Sequence, residues 1–209
     1  MLPALLFTTP QCPHCPGMKA ALAQIQSEGL LGTIEIVDAT AQPERAQALH
    51  IQSVPWLRLG ELIFEGQMGR GDLRAWAQTA HTAIGIRRYF FSSLKNGKRA
   101  HVESVLRAQP QYAALLGDLI QDPEASMAVR IGIGAVLEEL QGSAIAEAMV
   151  PALAHILTGG EARDRADAAH FLSLIATPSA LSTLRAALQD SDEVVRAIAI
   201  ETLTEHEQL

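Results

Sequence analysis

Cys12 and Cys15 are the only cysteines of the chain, and the stretch that holds them, FTTPQCPHCPGMKAALAQIQ over residues 7–26, leaves few roles open. A structural disulfide across so short a loop removes little entropy from the unfolded chain, because the stabilisation grows with the logarithm of loop length. A structural zinc site takes four Cys or His ligands, usually as two such pairs. No second pair exists: His14 lies between the cysteines, and His50, His81, His101, His155, His170 and His206 are scattered without ligand spacing. No metal is expected. The remaining reading is a redox couple, for which the pair should sit between a strand and a helix.

The flanks meet that requirement. ALLFTT, residues 4–9, is a short apolar run bounded by Pro3 and Pro10 and predicts a buried strand. After Cys15, Met18, Leu22 and Ile25 recur at helical spacing and Gly29 closes the pattern, so the spacing predicts a helix from about Pro16 to Glu28. Pro16 suits a first turn, where its missing N–H has no partner to lose. Cys12 then stands at the helix entrance, where exposed N–H groups and the helix dipole lower a thiol below its ordinary value of about 8.5. In this arrangement Cys12 is the nucleophile and Cys15, deeper by a turn, is the resolving thiol. His14 either adds positive charge beside Cys12 or is a solvent-facing spacer.

TIEIVDAT, residues 33–40, alternates Ile34, Ile36 and Asp38 against Glu35 and Val37 and reads as a second strand; QPERAQALH is a short helix opened by Pro43. The stretch 51–80 gives a strand, a turn at Gly60 and Glu61, a strand, a glycine loop and a last helix from about Asp72, with Asp72 as its N-cap. The order is βαβαββα. On these residues the segment 1–83 resembles the thioredoxin superfamily, with Cys12-Pro13-His14-Cys15 in the active-site position and Val54-Pro55 in the place of the family's cis-proline. The resemblance implies an α/β thioredoxin-like domain that exchanges thiols and disulfides with protein substrates. It also implies that Pro55 is cis, packs beside the disulfide and, with Val54, presents a backbone edge to an extended peptide. The redox-active disulfide would be the whole cofactor complement, with glutathione open as a thiol partner because GRGD, residues 69–72, is faintly similar to a glutathione-binding loop of glutaredoxins. The tetrad looks like that of periplasmic disulfide oxidases, whereas a proline after the second cysteine looks like glutaredoxin-like and archaeal disulfide oxidoreductases. Reduction potentials across such proteins run from about −270 to about −120 mV, so the direction of electron flow stays open.

A domain of that size leaves most of the 209 residues to be explained. Residues 111–209 repeat: RIGIGAVL from Arg130, RADAAHFL from Arg165 and RAIAIETL from Arg196 superpose without gaps, and each follows a second helical run. The starts lie 35 and 31 residues apart, and helix pairs at such a period signify an all-α solenoid. LRAALQDSDEVVRAIAIETL is similar to HEAT repeats; the resemblance gives Arg130, Arg165 and Arg196 a bracing role and the array a docking role for a substrate or partner protein. The expected organisation is thus a redox domain over 1–83, a basic helical connector over 84–110 and three HEAT-like repeats over 111–209.

Charge follows the same division. Residues 1–80 carry 5 basic and 7 acidic groups, residues 81–110 carry 6 and 1, and residues 111–209 carry 5 and 15. Glu138, Glu139, Asp164, Asp167, Asp192 and Glu193 form either an acidic binding surface or a solvated face. The basic connector is expected to pair within the chain rather than with nucleic acid, and Tyr89, Phe90 and Phe91 to anchor it. MLPALLFTT leads straight into the first strand with no basic leader, and no apolar run approaches the roughly 18 residues of a membrane span, so a cytoplasmic location is expected. Two main readings stay open, an oxidoreductase and a redox-sensing adaptor in which the cysteine pair is a switch; an iron–sulfur cluster bridged by two chains through Cys12 is a third.

Overall fold

A computed structural model describes residues 1–207 and divides the chain into two compact units, Met1–Ile86 and a second that begins at Arg87. The first unit runs β1 (Leu2–Thr8), α1 (Cys15–Ser27), β2 (Leu31–Asp38), α2 (Pro43–Ala48), β3 (Trp56–Leu59), β4 (Leu62–Glu65) and α3 (Arg70–Thr79). Its strands form one mixed sheet in the order β2-β1-β3-β4, with β1 parallel to β2 and antiparallel to β3. The β3–β4 hairpin turns at Gly60, whose φ of +56° is conformational space that side chains with a Cβ avoid.

Pleating sends alternate residues to opposite faces. Leu5, Phe7, Val37 and Trp56 form a buried cluster on one face, closed by Ala46 and Leu49 at α2. On the other face Phe64 packs at 5.1 Å, tilted, against Trp76 of α3, and the buried Met18, Leu22 and Ile25 of α1 belong to the same layer. The register Phe7↔Val37 decides which residues of β2 are covered. Val37 is buried, whereas Ile36 is 46% exposed. An edge strand is screened by one neighbour only, so apolar alternation along it does not mark the buried face.

Helix α3 starts at Arg70 with Gly69 as its N-cap, not at Asp72. Asp72 falls in the first turn instead, where its charge suits the positive end of the helix. Helix α4 (Ala83–Lys95) carries the chain across the boundary between the units, so the helices of the basic connector fall with the second unit.

The second unit continues with α5 (Arg99–Ala108), α6 (Ala114–Ile120), α7 (Met127–Glu139), the short α8 (Ala144–Glu147), α9 (Val150–Gly159), α10 (Ala162–Ile175), α11 (Pro178–Leu184) and α12 (Glu193–Glu207). Single 3₁₀ turns precede α6 and follow α11. Three helix pairs, α6/α7, α9/α10 and α11/α12, follow one another, and α10 touches members of all three. Arg130, Arg165 and Arg196 each occupy the fourth position of the second helix of a pair. Each donates to a carbonyl near the end of the preceding run: Ile120 O at 2.8 Å, Gly160 O at 3.0 Å and Asp190 O at 2.6 Å. Those carbonyls include the ones a helix C-terminus leaves unsatisfied. Two of the arginines also reach forward, Arg130 to Asp164 and Asp167, and Arg165 to both oxygens of Asp190 at 2.8 Å. Arg87 of α4 joins the series through Asp118 O and Asp122. Tyr89 and Phe90 of α4 are buried, and Phe91 is partly exposed beside Lys95.

Candidate active site

Strand β1 ends at Thr8, and residues 9–14 turn into α1, whose first residue is Cys15. The Cys12 N–H donates to Thr9 O at 3.3 Å, which closes the turn. Cys12 and Cys15 form a disulfide with their Cα atoms 5.5 Å apart. Cys12 is 9% exposed and Cys15 2% exposed, while Pro13 and His14 stand in solvent. His14 is the N-cap by position, but its side chain makes no capping bond. Met18 donates the first bond of α1, to His14 O at 3.3 Å, so the N–H groups of Cys15 and Gly17 precede the helical ladder. Cys12 therefore sits ahead of the helix start, and Cys15 is the first residue of the helix.

The Val54–Pro55 bond is cis. Phe7 pairs with Trp56, so the antiparallel register carries Pro55 to the position opposite Thr8, at the end of the sheet from which the cysteine turn departs. Pro55 is buried, and its carbonyl accepts from Gly66 N–H at 2.9 Å. The side chain of Val54 packs against the Phe7–Trp56 cluster.

Two straps hold the neighbouring loop to α1. Met68 N–H donates to Met18 Sδ at 3.4 Å, and Arg70 donates to Gln24 at 2.9 Å. The first strap is not legible in the sequence, since Met18 fits the apolar stripe of α1 equally well as plain core. At the same edge of the sheet Asp38, in register with Thr8, accepts from Thr40 through its hydroxyl at 2.6 Å and its N–H at 2.8 Å. Those bonds hold the Asp38 carboxyl below its usual range. On the α2 face Arg45 binds Glu35 at 2.7 Å and lies 5.9 Å over the Phe7 ring, which lowers Glu35 in the same way. No cluster of ligand-type side chains that could hold a metal occurs among the described residues. No helix there is long and apolar enough to cross a membrane.

The six acids singled out in the second unit have different partners. Asp164 and Asp167 are taken by Arg130, Glu139 pairs with Arg107 at 3.5 Å, and Asp192 accepts from the N–H groups of Val194 and Val195 at the start of α12. Glu138 and Glu193 remain on the exposed surface.

No family model matches the chain. A stretch of 63 residues, 29% of this chain, is 32% identical to a protein named thioredoxin from Methanocaldococcus jannaschii and covers 74% of it. The two cysteines of this chain stand at the strand-to-helix turn of a mixed sheet, two residues apart and joined. That similarity over most of a thioredoxin's length, taken with this geometry, places the chain in the thioredoxin family.

Proposed function

We propose that the protein is a thiol–disulfide oxidoreductase acting on protein disulfides, with the helical unit serving as a HEAT-like docking array. The observation that carries the reading is the Cys12–Cys15 disulfide at the entrance of α1, with Cys12 9% exposed and Cys15 2%. In the reducing direction the Cys12 thiolate attacks a substrate disulfide, forming a mixed disulfide and expelling one substrate thiolate, which takes a proton. The Cys15 thiolate then attacks Cys12 Sγ, releasing the second substrate thiol and closing the Cys12–Cys15 disulfide. Two electrons pass to the substrate, and an external dithiol restores the enzyme. Read backwards, the same steps donate a disulfide. Val54 would pair with the substrate backbone, Pro55 would shape that edge, and Pro13 and His14, between the cysteines, would tune the couple. The eight-position repeat and the recurrent arginine at the fourth position of α7, α10 and α12 support the HEAT-like reading.

The deciding experiment is reduction of an insulin-type protein disulfide by the full chain with a dithiol as electron source. Cys12→Ser is expected to abolish turnover, and Cys15→Ser to accumulate a mixed disulfide that a reductant dissolves. Full turnover by Cys12→Ser overturns the proposal.

The switch reading is favoured by one observation, the exposed Met127 and Ile131 on α7, a face suited to a partner rather than to chemistry. It requires partner affinity to differ between the oxidised and reduced protein. Equal affinity in the two states removes it.

A further inference from the structure

We propose that the groove between α7 and α10 is a docking site for a client segment in which an apolar anchor is followed by lysine or arginine. The inference rests on the docking role proposed above and gives it a location and a chemistry. The groove has a volume of about 300 Å³, with Met127, Ile131 and Phe171 among its lining and Glu138 and Asp167 at its polar margin. That volume is at the small end for ligand sites and suits one or two side chains of a polypeptide rather than a whole cofactor.

Isolated exposed hydrophobic residues are ordinary on protein surfaces. Met127 and Ile131 are not isolated: they are 67% and 65% exposed, one helical turn apart on α7, and both line the groove. Covering them removes apolar surface that the fold leaves in water.

Charge selects the occupant. Arg130, the cation of the groove, is 7% exposed and already bound to Asp164, Asp167 and Ile120 O. Against that one cation the lining sets two carboxylates, Asp167, which Arg130 binds, and Glu138, which stands exposed. Residues 111–209 as a whole carry 15 acidic and 5 basic groups. An acidic or nucleic-acid partner would meet repulsion, whereas a basic one gains rate and register from the field. Ile131 and Glu138 are separated along α7 by about 10 Å at the helical rise. Roughly three residues of extended chain span that distance, which sets the spacing from anchor to cation.

The test uses the full-length oxidised protein and a fluorescein-labelled synthetic peptide in which Leu-Phe is followed three residues later by Arg-Arg, with a Glu-Glu version as control. Fluorescence anisotropy is expected to show binding of the basic peptide at least tenfold tighter than of the acidic one, weakening as salt is raised. Ile131→Lys should cost at least tenfold, with Met127→Lys as a second variant at an equally exposed position. Glu138→Lys should shrink the preference between the peptides. Equal binding of the two peptides, binding by neither, or binding indifferent to both α7 variants overturns the proposal. Cys12→Ser should bind the peptide as the parent does, so that loss of disulfide exchange and loss of docking are read separately. Reduction of a small aromatic disulfide should be unchanged in the α7 variants.

Discussion

Arg130 shows how one side chain ties three elements together. Its guanidinium reaches back to the end of α6 and forward to two carboxylates of α10, and it is almost wholly buried. Removing the cation while leaving Asp164 and Asp167 in place strands two carboxylates beside each other, which costs more than the pair itself contributes. Arg130→Leu is expected to destabilise the protein by about 2 kcal/mol, less than for a fully buried pair because both carboxylates keep some solvent contact. Chemical denaturation measures the loss, and a double variant that also removes Asp167 should recover part of it. The cysteine pair is legible at this scale because its chemistry depends on local spacing. The Met18–Met68 strap is not, since it joins residues 50 apart.

Among the elements, β2 and α3 show where local pattern fails. The alternation of Ile34 and Ile36 is real, yet Val37 is the buried residue because pairing with Phe7 turns that side toward α2. Asp72 has the chemistry of an N-cap, but the helix starts two residues earlier, at Arg70. Gly85 in the first turn of α4 supplies a test of packing against propensity. A Cβ there would land on the Thr79 carbonyl, which already accepts from the N–H and hydroxyl of Thr82. Helix propensity alone favours Gly85→Ala by about 1 kcal/mol. Crowding of backbone against backbone outweighs it, and the substitution is expected to destabilise by about 1 to 2 kcal/mol. A rise in melting temperature would show that the turn yields instead.

Across the whole molecule, arginine braces recur at the turns between helices. Asp190 is held below the usual carboxylate range by Arg165, and Asp122 by the Glu124 N–H and by Arg87. Their folded values lie below the unfolded ones, so the stabilisation is complete above the ordinary aspartate value of about 3.9 and is lost as pH falls below it through the folded values. The helical unit is therefore expected to unfold more readily on acidification below about pH 4. Asp190→Asn should lower the melting temperature at neutral pH and flatten the acid slope. A slope identical to the parent's would place the acid sensitivity elsewhere.

The cysteine pair, the βαβαββα order and the helix pairs of the second half are written in features that span only a few turns of the chain: cysteine spacing, apolar period and turn residues. Long-range packing settled the rest. It chose the buried face of β2, occupied the Pro55 carbonyl with Gly66, and drew Asp164, Asp167 and Asp190 into arginine braces while leaving Glu138 exposed. These outcomes depend on partners 11 to 37 residues away, and a side chain's charge or hydrophobicity does not say which partner it will meet.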